Sequence, residues 1–494
     1  MGANMKKMID KNQLLTAWCN YNNSYPAHSD EVDRITSVCP TDKQIELMDM
    51  GYYSFIHFGI NTFYNREWGT GKEDISVFNP VNLDTDQWCK VLKDSGSEGV
   101  IFTAKHHDGF CLFDTKFTDH NVMNTPFGRD IVSLLSESCK KYSLKLGIYL
   151  SPWDRHEKSY GTEEYNDYFV SQLTELCTNY GDIFVFWFDG ACGEGENGKK
   201  QEYDWERYYQ VIRELQPGAI IANCGPDVRW IGNEAGKVRE SEWNVIPLTD
   251  KDNDSVMANS QKDASQAPCF VKETEQDLGS RAVLKNYDRL IFKPAEADVS
   301  INLGWFYHNN LYYLFKKNRT AEDLANIYFK TVGGNATLLL NVPPRKDGLI
   351  DKREIRTLQK FKRKIDEPFS APINDFVTTA FSDKGYERTI EDNELKSGYT
   401  LKDDEIGLRL SFSETAKIRN IVLKENLKES QRVEQFRVYT KLNSEENYRC
   451  IYEGTVIGFK KFVMLSKAIE CDEIIVSVTQ SRGNPVLKAV EIFR

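Results

Sequence analysis

The chain has 494 residues, 40% hydrophobic and 12% aromatic, with a net charge of −11 and acidic and basic residues mixed throughout. That length supports a large core and exceeds one ordinary domain, so two are expected. The charge argues against a nucleic-acid or anionic-membrane partner. Eleven cysteines lie scattered without a CxxC, the pattern of free thiols and not of a disulfide framework.

No apolar run reaches the length of a membrane span, and the opening MGANMKKMIDKNQLLTAW lacks the apolar core of a signal peptide. A soluble protein is expected, cytoplasmic as the chain stands, or periplasmic or extracellular if a leader has been removed. Residues 1–40 are polar and irregular and read as an arm packed on the main domain.

From Tyr52 a rhythm begins of short apolar run, polar loop and amphipathic helix. The runs are YYSFIHFG (52–59), GVIFTAKHHDGF (99–110), LKLGIYLSP (144–152), IFVFWFDG (183–190) and AIIANCG (219–225). Helical patterns fill 84–95, 130–142, 163–180 and 203–215. FVKETEQ (270–276), ADVSINLGW (297–305) and ATLLLNVP (336–343) bring the strand count to eight, with helices over 320–331 and 352–365. Strands alternating with helices imply a parallel sheet, and eight such units close into a barrel. The crossover 228–268 is long and poorly helical, so an irregular (β/α)8 TIM-like barrel is expected, over 41–367.

Beyond 368 the pattern changes to short alternating runs: 408–413, 418–426, 435–442, 449–454, 460–466, 472–480 and 486–493. Period-two alternation with polar turns predicts a C-terminal antiparallel β-sandwich over 368–494. Few aromatics occupy its turns, which favours a buttress for the barrel over a sugar-binding module.

In such a barrel the reacting groups sit at the carboxyl ends of the strands. His57, the run His106-His107-Asp108, Tyr149 and Asp189 end successive runs, and Trp305 and His308 lie near the end of another. Asp189 follows a continuous apolar run from Ile183 to Phe188, so its carboxylate stands at the rim of a buried strand. Taken alone, Asp189-Gly190 is an ordinary turn. Neighbouring histidines on a strand point to opposite faces, so His106 and His107 share a pocket only where the strand ends and the Asp108-Gly109 turn begins.

Two chemistries use this set. A metal-dependent hydrolase needs histidines and carboxylates at the mouth, and a glycosidase needs two carboxylates and an aromatic-lined sugar pocket. Against metal, no HxH or HExxH spacing occurs, and Trp68, Tyr149, Trp187, Trp305 and Phe306 outnumber the histidines.

Six ordered motifs then carry a family resemblance: HFGINTFYNREWGTGKED, TAKHHDGF, GIYLSPWDR, FWFDG, RWIGNEAGKVRESEW and EADVSINLGWFYH. Together they resemble the α-L-fucosidases of glycoside hydrolase family 29, and the last two resemble the subgroup acting on α-1,3/1,4-linked fucose. The resemblance implies a retaining exo-fucosidase acting on fucosylated, Lewis-type oligosaccharides or glycoconjugates. It implies Asp189 as nucleophile and Glu234 as acid/base; spacing alone gives Glu234 no edge over Glu242 or Glu296. It maps the fucose pocket to His57, Glu67, Trp68, His106, His107, Tyr149 and Trp187, with Trp305 as an aromatic wall and Arg229 as a further contact. No metal or organic cofactor is implied. A fucose-binding protein without activity is the remaining alternative, and the sandwich resembles the galactose-binding-like module often appended to these enzymes.

Overall fold

The computed structural model describes residues 8–9, 28–240, 242–248, 277–308, 318–382 and 384–494. Eight parallel strands form the first layer: β1 (Tyr52–Ile56), β2 (Gly99–Lys105), β3 (Lys145–Leu150), β4 (Ile183–Phe188), β5 (Ile220–Asn223), β6 (Arg229–Trp230), β7 (Ala295–Ser300) and β8 (Ala336–Asn341). They pair in the order β5-β4-β3-β2-β1-β8-β7-β6. A parallel bridge between Ala222 and Val228 brings the β5 and β6 ends together and closes the ring.

Seven of the eight strands fall where the apolar runs predict. The sixth position differs: the ring takes the two-residue β6, Arg229–Trp230, which pairs with Ala295 and Glu296 of β7. The run expected there, 270–276, lies outside the described residues. Two residues give no periodicity to read, which is why β6 escapes a pattern search.

The helices start where an acceptor side chain can take the free N–H groups of the first turn. Asp84 caps α1 (Thr85–Asp94), Asp130 caps α2 (Ile131–Tyr142), Asp204 caps α4 (Trp205–Leu215) and Thr320 caps α5 (Ala321–Thr331) in a reciprocal box with Asp323. The third helix, α3 (Glu164–Asn179), begins without such a cap. α6 (Lys352–Asp366) follows β8 and starts on Asp351. Apolar faces of these helices pack on the barrel: Trp88 of α1 is fully buried and its Nε1 donates to Gly348 O at 2.7 Å. Within the segment expected to be an irregular arm, Asp30–Thr36 is a helix capped by Ser29, and most of the rest of it is outside the described residues.

The C-terminal sheet is antiparallel. Its strands are β9 (Phe376–Ser382), β10 (Glu387–Ile390), β11 (Glu405–Glu425), β12 (Val433–Lys441), β13 (Tyr448–Gly454), β14 (Lys461–Ser481) and β15 (Val486–Phe493). Four of the predicted short runs are halves of two 21-residue strands, β11 and β14. Register shifts between Ser411 and Ala416 and between Ile418 and Asn420 bend this pair, so each strand serves both layers of the sandwich. Leu408, Ile421, Phe436, Val463, Ile474 and Val490 meet in one core between them.

The sandwich grips the barrel through ion pairs removed from water. Glu434 of β12 accepts from Arg281 Nε at 2.9 Å and from Arg482 Nε at 2.8 Å, and the Arg482 guanidinium lies 4.5 Å above the Trp243 ring. Among the described residues all nine cysteines are free, and no helix is long and apolar enough to cross a membrane.

Candidate active site

At the carboxyl-terminal rim of the barrel lies a cavity of about 580 Å³. Its floor is Phe55, Tyr149 and Trp187; His57, His106, His107, Trp68 and Trp305 wall one part, and Asp189, Glu234 and Asp298 bring carboxyl groups to it.

The strand ends set most of this geometry. β4 stops at Phe188, and the next residue, Asp189, turns its carboxyl into the cavity. Oδ1 accepts from Ala191 N at 2.7 Å and Oδ2 from the Tyr149 hydroxyl at 3.0 Å. Two donors, one from its own turn and one from β3, hold the carboxyl in one orientation. The ordinary turn reading accounts for the Ala191 bond and not for Tyr149.

β2 stops at Lys105, and the histidines follow in the turn, rings 4.0 Å apart, both facing the cavity. Gly109 closes this turn at φ +75°, and a Cβ there would sit 2.3 Å from Asp154 Oδ1. Only glycine fits that position. Beneath it, Lys105 Nζ reaches Asp154 at 2.9 Å and Gln172 at 3.0 Å, so the buried ammonium is paired. Burial raises the Asp108 carboxyl to a pKa of about 7.

The imidazole tautomers follow from their partners. Ser151 Oγ donates to Trp153 O at 2.7 Å, so it accepts from His107 Nδ1, also at 2.7 Å. His107 Nε2 is then the lone-pair nitrogen, 3.8 Å from Asp189 Oδ2. Asn341 Nδ2 donates to Trp305 O at 2.7 Å, which turns its Oδ1 toward His57 Nδ1 at 3.0 Å. His57 therefore also carries its proton on Nδ1. Burial lowers His57 to a pKa of about 3 and pushes His106 and His107 down as well, leaving three neutral rings at neutral pH.

Two residues expected at the sugar stand outside the cavity lining. Glu67 lies behind Trp305: Oε2 accepts from Trp305 N at 2.8 Å and Oε1 meets His308 Nε2. A Cβ on Gly304 would collide with Glu67 Oε1 at 2.1 Å, so glycine there lets the carboxylate approach the backbone. Arg229 is buried, and its Nη2 donates to Glu242 Oε2 at 2.7 Å and Trp243 O at 3.0 Å. It anchors the loop. Glu242 also faces Arg239 at 3.2 Å, and these cations outweigh its burial and hold it below the usual range of a glutamate.

Of the rival acids, Glu296 is buried beneath the floor, accepting from Trp187 Nε1 at 2.7 Å and from the Tyr53 hydroxyl. Glu273 and Glu275, two further acids in the 270–276 run, lie outside the described residues. Four lining residues were not singled out from sequence: Phe55, Asn223, Trp230 and Asp298. Trp230 and Asp298 lie inside quoted motifs, and the φ of +63° at Asn223 marks a strand end bent to the rim. No group of three or more His, Cys, Asp or Glu side chains is arranged to hold a metal among the described residues.

Comparison with known proteins places this cavity in context. Residues 41–363 match the model of the Alpha-L-fucosidase family. Alpha-L-fucosidase 1 of Arabidopsis thaliana is 34% identical over 471 residues, covering 92% of this chain and 87% of that protein. A glycoside hydrolase 29 family member from an unknown rumen bacterium is 30% identical with a TM-score of 0.72, over 92% of this chain and 77% of that one. A Ruminococcus gnavus GH29 fucosidase in complex with fucose is 26% identical with a TM-score of 0.78, over 92% and 95%. A cavity lined by aromatic rings, histidines and carboxyls at a barrel mouth and a family match spanning that whole barrel lead to one conclusion: this chain belongs to the α-L-fucosidases of glycoside hydrolase family 29 and is a hydrolase of fucosides.

Proposed function

We propose that the protein is a retaining, exo-acting α-L-fucosidase that removes α-1,3/1,4-linked fucose from branched, Lewis-type oligosaccharides or glycoconjugates. The observation that carries this reading is that Asp189, oriented by two donors, and Glu234 line one cavity from different elements. A carboxyl pair of this kind performs a double displacement when the two groups stand about 5–5.5 Å apart.

In the first step an Asp189 oxygen bonds to the anomeric carbon. The glycosidic bond breaks, and the Glu234 proton goes to the leaving oxygen. In the second, Glu234 takes a proton from water, the water oxygen bonds to the anomeric carbon, and Asp189 departs. Two inversions return the original configuration.

His57 and His107, neutral with Nε2 unprotonated, accept from sugar hydroxyls, and His106 lies beside them. Tyr149 sets the Asp189 carboxylate. Trp68, Trp187 and Trp305 cover the apolar side of a deoxy sugar. Glu67 acts through Trp305 and His308, and Arg229 through Glu242. The closed aromatic floor suits one terminal sugar, which supports exo action. The linkage rests on RWIGNEAGKVRESEW and EADVSINLGWFYH. The catalytic unit is taken as 41–367, with 368–494 as its buttress.

Proton NMR of the first-formed sugar tests the mechanism: α-fucose is expected, and initial β-fucose would exclude retention. Hydrolysis of a Lewis trisaccharide should outpace that of a linear 2′-fucosyl substrate. Equal rates would exclude the linkage assignment.

A further inference from the structure

The double displacement uses two carboxyls, and the cavity holds a third. Asp298 of β7 is buried at the lining, and its Oδ1 accepts from Trp230 Nε1 at 2.5 Å. Arg319 fixes the loop carrying Glu234 against the end of the same strand: its Nε donates to Ser300 O at 3.0 Å and its Nη2 to Glu234 O at 3.2 Å. The loop then turns at Gly236, φ +69°, where a Cβ would stand 3.1 Å from Val299 Cγ1. Glu234 is thus clamped over the strand residues that adjoin Asp298.

We infer that Asp298 and Glu234 form a carboxyl pair sharing one proton, with Asp298 the positioning residue that keeps this proton available to the leaving oxygen. The inference rests on Glu234 being the acid/base. Two carboxyls lining one cavity, Asp298 buried and Glu234 half-buried, resist joint ionisation, so the pair loses its last proton only at raised pH. The indole N–H on one Asp298 oxygen offsets part of the burial that favours the neutral acid there, so the proton is shared between the two carboxyls instead of resting on Asp298 alone. A shared proton can pass to Glu234 and from there to the leaving oxygen.

The proton balance runs through both steps. The pair carries one negative charge before the first step and two after its proton has gone to the leaving oxygen. Repulsion from Asp298 then makes Glu234 a stronger base toward water, and the water proton restores the single charge. The other groups around the pair work in the same sense or are neutral. Asp189 faces the cavity from β4, and Glu296 lies two residues before Asp298 on β7. His57, His106 and His107 are uncharged, and Arg319 bonds to two backbone carbonyls. Burial first, and then the Glu234 charge, hold Asp298 well above the ordinary range of an aspartate.

The test is the pH dependence of kcat/KM on an unactivated alkyl fucoside and on 4-nitrophenyl fucoside. Asp298→Asn should lower the alkaline limb on the alkyl fucoside by about one pH unit or more and leave the acid limb in place. Trp230→Phe removes the donor that favours the anion, so it should raise the alkaline limb while lowering the plateau. Shifts of opposite sign support the pair. An alkaline limb unmoved in Asp298→Asn, whatever the loss of rate, overturns it. If circular dichroism shows that Asp298→Asn does not fold, Trp230→Phe decides: an upward shift supports the pair, and an unmoved or lowered limb overturns it. Glu234→Gln separates the two readings. It should cost far less on the nitrophenyl substrate than on the alkyl fucoside and abolish the alkaline limb on the nitrophenyl substrate. Persistence of that limb refutes the acid/base assignment, whereas its loss beside an unmoved limb in Asp298→Asn refutes the pair alone.

Discussion

The two halves of the rim are built differently. From β1 to β4, His57, His106, His107 and Asp189 stand one or two residues beyond the ends of regular strands while Tyr149 stands within β3, and neighbouring strands hold them: Tyr149 fixes Asp189, Ser151 fixes His107 and, from β8, Asn341 fixes His57. From β5 to β7 the strands shrink to four and two residues before β7, and Glu234 hangs on the loop between β6 and β7. That half borrows its rigidity from outside the barrel. Asn244 N donates to Gln431 Oε1 at 2.9 Å, Arg281 and Arg482 close on Glu434, and Asn335 joins Glu242 O at 2.7 Å to Phe459 N at 2.8 Å. The proposed nucleophile set by strands and the proposed proton donor on a braced loop divide the site into a part held by the barrel and a part held also by the sandwich.

The strand-held half should fail completely when its central group is removed. Asp189→Asn keeps the shape and deletes the proposed nucleophile, so kcat/KM should fall on the order of 10⁴-fold or more, for activated and unactivated fucosides alike. Steady-state assay of both substrates checks this, and retention of near wild-type rate would end the assignment. The loop half should fail selectively. Glu234→Ala should cost about 10²- to 10⁴-fold on a natural oligosaccharide and much less on 4-nitrophenyl fucoside, with partial rescue by azide. Equal losses on both substrates would argue that Glu234 positions and does not donate.

The brace itself can be cut. Glu434→Gln leaves two buried guanidinium groups without their carboxylate, and removing one partner of a buried ion pair costs about 3–5 kcal/mol. Denaturant unfolding measures the loss. Just below the unfolding midpoint, the ratio of oligosaccharide to nitrophenyl activity should drop, because the loop bearing Glu234 loosens before Asp189 is disturbed. A constant ratio would mean that the sandwich stabilises the barrel without setting the loop.

The same division governs what the sequence revealed. Strands with a continuous apolar run followed by a polar residue are visible as patterns, so His57, His106, His107, Tyr149 and Asp189 could be placed at the rim from the chain alone. Glu234 had no such signal among Glu242, Glu296 and its other neighbours; only the motif resemblance singled it out. Glu67 and Arg229 were expected at the sugar from the motif resemblance; in the structure they bond to protein groups outside the cavity lining, and the direction of a polar loop side chain carries no mark in the sequence. Asp298 was invisible for a related reason: in a strand buried on both faces, alternation cannot tell cavity from core. In the sandwich the alternating runs were plain. Their fusion into two bent 21-residue strands depends on register shifts that need the partner strand to be seen.

Within the strand-held half, smaller changes should show graded effects. Tyr149→Phe removes the 3.0 Å bond to Asp189 Oδ2 and leaves the ring packed against Trp187. A hydrogen bond to a charged group contributes about 1.5–3 kcal/mol, so kcat/KM should fall about ten- to hundredfold with little change in melting temperature. A loss as large as that of Asp189→Asn would give the hydroxyl a role beyond orientation.

The smallest effect is on stability. His57, His106 and His107 are neutral in the folded protein because burial lowers their pKa values, to about 3 for His57. In the unfolded chain a histidine titrates near pH 6.5. Between these values the unfolded state binds more protons, so stability rises with pH there and falls as the pH drops below about 6.5, by up to about 1.4 kcal/mol per unit for each such histidine. Above that range the three rings contribute no pH dependence. Melting temperature followed from pH 7.5 to 4.5 should therefore be flat and then decline, and His57→Gln should flatten the decline by one histidine's share. An unchanged slope in that variant would mean that His57 takes up its proton inside the folded barrel.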